Sequence, residues 1–399
     1  MNAPIRKSAM TLLWLGAAIS ISEIAVGGLI APLGLAQGAA AIVGGHLIGG
    51  GLLALGGYIS YQRRTEAMDT VTWTLGGHGA ALAALCNVVQ LVGWTVIMIV
   101  QAGSALKGVM PEISFGLTAA ILSALVLIWA LIFRSPAGRL NDLMVVLLAG
   151  LCLTLFLEAL GLDKTVADAA SGSMSLTLAI ELSIAMPVSW LPLIGDYTCR
   201  AGDKYTAAAL PFLGYSLGSI AMYLLGLFIG VTSGKDIFAF IADSQYRLPA
   251  CGVVALSTLT TAFLDLYSAA VSSQLIVKSR NVRTPILIIG LLSASIAVFF
   301  PVDSYSRILE SFLINIGLVF VPIYTVLFLE FLIKKPECGR LYNWPNLFTV
   351  AAGMAAYYLF VSFEIWIPTL ATILLVIGLY GLLTLRQARR PALTGGPAR

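Results

Sequence analysis

Long apolar runs recur along the whole chain and are separated by short polar connections. Most runs are continuous over about 20 residues, a pattern typical of α-helices that cross a bilayer rather than of alternating β-strands. The pattern predicts twelve transmembrane spans, at about 11–35, 39–60, 79–106, 114–133, 142–161, 175–197, 208–232, 249–278, 284–301, 305–334, 346–362 and 365–386.

Composition excludes a water-soluble fold. The chain is 59% hydrophobic and 11% charged, whereas soluble domains carry about 25% charged residues. The apolar run after Arg6 and Lys7 resembles a signal peptide, but no small-residue cleavage site ends it and further spans follow at once. The sequence therefore predicts an all-α integral membrane protein whose first span is this run.

The basic residues predict the orientation of the spans. If the N-terminus is cytoplasmic, eighteen of the 23 Lys and Arg residues fall on the cytoplasmic side. The other side holds Lys107, Lys164, Lys235, Arg247 and Arg307. By the positive-inside rule, this distribution supports twelve spans with both termini in the cytoplasm.

Short connections predict one transmembrane domain over residues 1–399. Its predicted parts are a first repeat at about 11–161, a second repeat at about 175–334, two peripheral helices at about 346–386 and a cytoplasmic tail at 387–399. The five cysteines form no CxxC pair and the chain has two histidines, so neither a metal centre nor another cofactor is predicted.

The first span carries a carboxylate in an apolar setting. Glu23 is followed by Gly27, Gly28 and Pro32, and an acid at membrane depth is costly unless it is paired or lines a wet cavity. One interpretation is a broken helix whose backbone lines a substrate or ion site. The other is a straight helix whose glycines pack closely and whose Glu23 bonds to a neighbouring helix.

The sixth span contains ELSIAMPVSWLP, with Pro187 and Pro192 in mid-span. Prolines at such positions bend or break a helix. Interrupted helices five spans apart are the expected mark of a five-plus-five inverted repeat. The alternative is two Pro- and Gly-rich helices that match by coincidence.

Two further spans carry polar patterns. In span 3, Gln90 and Trp94 share a helix face, which suits stacking on a planar heterocycle and bonding to its edge, although both types also serve in helix packing. In span 8, Ser257, Thr260 and Thr261 present hydroxyls on one face. Such hydroxyls suit Na⁺, although they often bond back to the preceding helical turn.

Together these patterns resemble the nucleobase:cation symporter-1 family, which holds bacterial cytosine, hydantoin and allantoin transporters. The resemblance is carried by SISEIAVGG in span 1, QLVGW in span 3, GDYTCRAGD at the end of span 6 and LSTLTTAFLDLYSA in span 8. It covers about spans 1 to 10. It points to the cytosine-permease branch, and within that branch to hydroxymethylpyrimidine transporters, which supply a thiamine precursor.

The resemblance implies a leucine-transporter-like fold that works by alternating access. It implies that Trp94 stacks on the substrate ring and that Gln90 bonds the ring edge. The second stacking position falls near Met186, Pro187 and Trp190, of which Trp190 is favoured.

The resemblance also implies a sodium site between spans 1 and 8. Its implied ligands are the side chains of Ser257, Thr260 and Thr261 and the backbone carbonyls of Ser20 and Glu23. Ser257 stands where an asparagine is usual. Ala262 replaces a substrate-facing asparagine of cytosine permeases, which speaks against cytosine as the substrate.

The predicted function is a secondary transporter that imports a pyrimidine, in particular hydroxymethylpyrimidine, with Na⁺ or H⁺ as the coupling ion and without a nucleic-acid partner. Cytosine or another nucleobase-like heterocycle is the alternative substrate. Glu23 either reads an aminopyrimidine edge or carries a proton. The alternative from a different class is an intramembrane enzyme that uses Glu23 and Asp265 as an acid pair. The sequence contains no HExxH, GxSxG or paired-carboxylate motif that would support it.

Overall fold

The computed structural model describes residues 4–132, 139–161, 173–277, 281–333 and 339–388, without the side chains of 139–142, 260 and 384–388. These residues fold into helices joined by short connections. The α-helices are α1 (Lys7–Ala18), α2 (Ile21–Leu29), α3 (Gly34–Arg63), α4 (Ala67–Leu75), α5 (Gly77–Val109), α6 (Phe115–Ile132), α7 (Arg139–Leu160), α8 (Leu176–Val188), α9 (Leu191–Thr198), α10 (Lys204–Ala207), α11 (Ala209–Ser233), α12 (Ile237–Asp243), α13 (Arg247–Val277), α14 (Arg283–Val298), α15 (Tyr305–Ile333), α16 (Trp344–Ser362) and α17 (Pro368–Ala388).

Each predicted span corresponds to a helix or to a pair of helices. Among the described residues, eight helical segments are long and apolar enough to cross a membrane, and the bent pair α1 and α2 makes a ninth. The other three predicted spans are α14, α16 and α17. The short connecting helices α4, α10 and α12 were not predicted. Residues 387 and 388 continue α17, and the rest of the predicted tail lies outside the described residues.

The first span is broken, as one interpretation of its sequence predicted. Helices α1 and α2 meet at an angle of 50°, because Ile19 and Ser20 adopt extended backbone angles between them. The Ser20 hydroxyl accepts a hydrogen bond from the backbone N–H of Glu23 at 3.3 Å and so caps α2. A capping serine supplies inside the span the partner that a helix start needs.

The sixth span is interrupted more mildly. Helix α8 ends at Val188, one residue after Pro187, and α9 begins at Leu191 with Pro192 in its first turn. Ser189 and Trp190 between them keep nearly helical backbone angles. The interruption therefore frees backbone groups without a sharp turn of the span.

Helix packing follows the symmetry of an inverted repeat. Span 1 packs through α2 on α11 (span 7), and span 6 packs through α8 on α3 (span 2), so each broken span contacts the second span of the other half. Spans 3 and 8 (α5 and α13) pack together, as do spans 4 and 9 (α6 and α14). When the two halves are exchanged, the pair of spans 1 and 7 becomes the pair of spans 6 and 2. The pairs 3 and 8 and 4 and 9 each map onto themselves, as two five-helix repeats require.

Glycines make the contact between span 1 and span 7 possible. A Cβ added at Gly226 of α11 would overlap the carbonyl oxygen of Ile24, and one added at Gly27 would overlap the backbone of Tyr223. Small residues at such crossings let two membrane helices approach at backbone distance.

The last two spans are hydrogen-bonded to a buried acidic side chain of span 6. Glu181 of α8 is 1% exposed and accepts hydrogen bonds from the Tyr357 hydroxyl at 2.6 Å and the Thr369 N–H at 3.1 Å. The Thr369 hydroxyl also donates to it. Helices α16 and α17 are therefore tied to span 6 by hydrogen bonds as well as by apolar packing against α15.

The Gly226 contact can be tested by substitution. We expect Gly226→Ala to lower the thermal stability of the purified protein clearly, because the added methyl forces α2 and α11 apart at a cost of about 1–3 kcal/mol. Gly51→Ala in α3 is the matched control, since no atom lies within 4 Å of an added Cβ there. Equal melting temperatures for the two variants would contradict the close crossing.

Candidate functional site

A small central cavity lies where spans 1, 3, 6 and 8 meet. Its volume is about 30 Å³, which corresponds to two or three water molecules at about 10–15 Å³ each. The cavity is lined by Ala17, Ser20, Ser22 and Glu23 from span 1, Leu91, Trp94 and Met98 from span 3, Met186, Ser189, Trp190 and Leu193 from span 6, and Thr261 and Asp265 from span 8.

Several residues predicted from the sequence meet at this central cavity. Trp94, Met186, Trp190 and Glu23 all line it. Trp94 is 7% exposed, and the edge of Phe312 in α15 packs against it with ring centroids 5.2 Å apart. The indole of Trp190 lies 5.7 Å from that of Trp14 at nearly a right angle. The two tryptophans expected to hold a planar ring thus belong to the same cavity.

Pro187 does not line the central cavity. Its side chain instead faces α3, where its Cγ lies 2.6 Å from the position of a Cβ added at Gly49. Pro187 lies next to the interruption of span 6 and is not among the residues that line the cavity.

Gln90 does not line the cavity but forms a hydrogen bond to the interrupted backbone of span 6. Its Nε2 donates to the carbonyl of Ser189 at 2.8 Å and to Oδ1 of Asn87 at 3.1 Å, and Asn87 in turn donates to Ser272 of span 8 at 2.8 Å. Because a carbonyl can only accept, the Ser189 contact fixes which end of the Gln90 amide faces it. Gln90 Oε1 has no hydrogen-bond partner among the described residues.

Glu23 joins the cavity to span 7. Its Oε1 accepts from the Tyr215 hydroxyl at 2.7 Å and its Oε2 lies 2.6 Å from the Ser219 hydroxyl. Ser219 also lies 2.5 Å from Nε2 of His46, whose Nδ1 lies 2.8 Å from the Ile42 carbonyl. Both carboxyl oxygens therefore have partners inside the protein.

Proton counting constrains this chain of side chains. The Ile42 carbonyl requires a proton on Nδ1 of His46, and Ser219 has a single hydroxyl hydrogen for two neighbours, His46 and Glu23. Both short contacts are hydrogen bonds only if a further proton resides on Glu23 or on His46. In this arrangement, Glu23 is therefore either a neutral carboxylic acid or a carboxylate whose charge is balanced by a protonated His46.

A second small cavity adjoins the central one on the side where α1 begins. Its volume is about 40 Å³ and its lining includes Ser20, Ser257 and Thr261. The Thr261 hydroxyl donates to the Ser257 carbonyl at 3.0 Å, which is the back-bonding alternative for this residue type. The side chain of Thr260 lies outside the described residues. Two of the three hydroxyls expected to bind Na⁺ thus line one cavity.

The backbone carbonyls of Ser20 and Glu23, expected at the sodium site, lie at the start of α2. Glu23 does not line the second cavity, and the Ser20 carbonyl accepts from Ile24 N–H at 3.5 Å. The span breaks after Ala18, and the carbonyls of a last helical turn lack partners within the helix. The carbonyls without helical partners are therefore those near the end of α1, where Ala17 lines both cavities.

Hydrogen bonds beside the central cavity link distant spans. Ser22, which lines the cavity, donates to Oε1 of Gln101 at 2.9 Å, and Gln101 Nε2 donates to the Tyr305 hydroxyl at 2.6 Å, which links spans 1, 3 and 10. Before α1, the N–H of Ile5 donates to the carbonyl of Arg200 at 3.1 Å. These partners could not be found from the sequence, because no spacing relates residues so distant in the chain.

No family model and no curated protein sequence matches the chain. Solved structures do match it. It is similar to Mhp1 in an inward-facing conformation, with a TM-score of 0.76, 16% identity and coverage of 96% of this chain and 94% of that chain. It is also similar to Mhp1, described as a nucleobase-cation-symport-1 family transporter, in a closed conformation with bromovinylhydantoin bound (TM-score 0.73, 15% identity, 97% and 94% coverage).

A third match is a Na⁺-coupled sialic acid symporter, with a TM-score of 0.60, 11% identity and coverage of 95% and 98%. The predicted fold class is confirmed. The chain is a multi-pass membrane protein with the inverted-repeat fold of cation-coupled secondary transporters. Its structural neighbours are transporters rather than enzymes.

The proton count at Glu23 makes a prediction about stability. We expect Glu23→Gln to melt within about 1 °C of the parent, because an amide can donate to Ser219 and accept from Tyr215, as a neutral carboxyl does. Glu23→Leu should melt clearly lower, since it leaves buried hydroxyls without partners at about 1–3 kcal/mol each. A Glu23→Gln variant as unstable as Glu23→Leu would show that the counting is wrong.

Proposed function

We propose that the chain is a member of the nucleobase:cation symporter-1 family that imports a pyrimidine, in particular hydroxymethylpyrimidine, across the bacterial inner membrane. The observation that carries the proposal is the meeting of Trp94 and Trp190 at one cavity between the two broken spans. Two indoles on different spans can hold the two faces of a planar ring. The fold supplies the transport class, and the aromatic pair argues for a flat heterocycle.

In this proposal the central cavity widens when the substrate enters it. Trp94 stacks on the ring, Trp190 covers the other face, and Met186 fills the space beside them. Gln90, the residue expected at the ring edge, already holds the Ser189 carbonyl. Its free Oε1 is the atom that would accept from the substrate once the cavity widens.

We propose Na⁺ as the coupling ion, in the second cavity. The hydroxyls of Ser257 and Thr261 and the carbonyls near the end of α1 are hard oxygen donors, which suit a hard cation. The two cavities share Ala17, Ser20, Trp190 and Thr261. An ion that fixes these shared residues would favour the arrangement that binds substrate, which is how two ligands couple.

The proposal predicts the outcome of ligand-induced thermal stabilisation. Hydroxymethylpyrimidine should raise the melting temperature of the purified full-length protein, while thiamine and hydantoins should raise it less. Trp94→Ala should weaken this binding by about tenfold or more, because it removes a stacking face. Trp73→Ala, which alters a tryptophan of α4 outside the cavity, is the control. Stabilisation by cytosine but not by hydroxymethylpyrimidine would overturn the substrate assignment.

The same measurement tests the ion. Na⁺ should increase the stabilisation by substrate, and Thr261→Ala should remove that increase. Thr232→Ala is the matched control, because the Thr232 hydroxyl makes the same kind of back-bond, to Phe228 at 2.7 Å, away from both cavities. Substrate stabilisation that is indifferent to Na⁺ in the parent would instead favour H⁺ coupling.

A further inference from the structure

Asp265 is the polar residue of the central cavity that the proposed function leaves without a role. It lies in α13, one helical turn beyond Thr261, and its side chain is 5% exposed. Its Oδ2 has no hydrogen-bond partner among the described residues, and no described Lys or Arg pairs with it. A buried carboxyl oxygen without a partner is costly, and this points to a ligand that supplies the partner.

The other oxygen-bearing side chains of the cavity already have partners. Ser22 donates to Gln101 and Ser189 donates to the Met186 carbonyl. Thr261 donates to the Ser257 carbonyl, Ser20 accepts from the Glu23 N–H, and Glu23 accepts from Tyr215. The open acceptor of this cavity is therefore at Asp265.

The ionisable side chains of the central-cavity lining are acidic. Glu23 and Asp265 both line the cavity, and none of the described lining residues is Lys, Arg or His. The largest side chains of the lining include two tryptophans, Trp94 and Trp190, and two methionines, Met98 and Met186. Aromatic faces and soft sulfur atoms stabilise an organic cation and are poor ligands for a hard metal ion.

Asp265 is also separated from the residues expected to bind Na⁺. It lines the central cavity with Trp94 and does not line the second cavity, where Ser257 lies. An ion in the second cavity is thus held by other groups. A cationic group that binds Asp265 would lie in the central cavity, which Trp94 and Trp190 also line.

We propose that Asp265 is the counter-ion for a protonated amino-heterocycle edge of the transported substrate. This inference rests on the proposed function and deepens it. An exocyclic amine beside a protonated ring nitrogen presents two N–H donors in one plane, which a carboxylate accepts as a bidentate, charge-assisted pair. Glu23, whose oxygens are both bonded to span 7, serves to position span 1. Asp265 therefore selects an amino-substituted ring over its oxo counterpart.

Binding to the purified full-length protein tests this assignment. The probes are hydroxymethylpyrimidine and the analogue in which an oxygen replaces the exocyclic amine. We expect the parent to prefer the amino ligand by about tenfold or more, and Asp265→Asn to weaken amino-ligand binding by about 10- to 100-fold. Binding of the oxo analogue should change by less than about threefold, and so should the Na⁺ concentration for half-maximal effect.

The control is Glu330→Gln in α15. Glu330 is also a buried carboxylate, at 6% exposure, but it accepts from Asn346 at 2.9 Å and does not line the central cavity. It should leave the ratio of amino to oxo binding unchanged. Asp265→Glu, which keeps the charge, should retain the preference for the amino ligand.

The outcomes separate the two proposals. Equal parent binding of both ligands, or an Asp265→Asn effect confined to Na⁺, overturns the counter-ion role and leaves the transporter proposal standing. A parent that binds neither pyrimidine overturns both. Ligand-free Asp265→Asn should melt no lower than the parent, because it removes an unpartnered buried charge. A clear loss of stability, or failure to fold, would show that Asp265 has a structural partner and would also overturn the assignment.

Discussion

The structure depends on how two interrupted helices satisfy their backbone inside a membrane. Water is absent from the hydrocarbon core, so a free N–H or carbonyl needs a partner from the protein or must line a cavity. In span 1 the Ser20 hydroxyl caps α2. In span 6 the Gln90 amide takes the Ser189 carbonyl. These two polar contacts satisfy backbone groups at the two interruptions. The central cavity lies between the interruptions and is lined by Ser20 and Ser189.

The glycine crossings and the buried acids follow from the same constraint. Because a broken helix is less stable by itself, each broken span packs closely on the second span of the opposite half. Helix α2 packs on α11, and α8 packs on α3. Each broken span is also held by a buried acid. Glu23 ties span 1 to α11 through the Tyr215 hydroxyl at 2.7 Å, and Glu181 ties span 6 to the peripheral helix α16 through the Tyr357 hydroxyl at 2.6 Å.

Hydropathy and the positions of glycine and proline are local properties, so the sequence predicts the spans and an interrupted first span. It does not predict where the interruption lies, because the break falls at Ile19 and Ser20 while Gly27 and Gly28 stay inside α2. The resemblance to a known family, rather than any local pattern, brought Trp94, Trp190, Met186 and Thr261 together as a set. The sequence also does not predict which partner a polar side chain chooses across a helix interface. The Gln90 amide donates to the Ser189 carbonyl and Pro187 packs towards α3, and neither contact follows from the sequence. Short connecting helices such as α4 are missed because their mixed composition lacks a membrane-length apolar run.

The central claim is that the protein carries a pyrimidine unchanged through this cavity, and counterflow tests it most directly. Purified protein in liposomes loaded with unlabelled hydroxymethylpyrimidine should accumulate labelled substrate from outside. The uptake should be transient and saturable, and the label should be recovered chemically intact. Uptake that rises linearly with concentration and shows no counterflow would indicate a channel. A chemically altered label would indicate an enzyme. Either result would contradict the account.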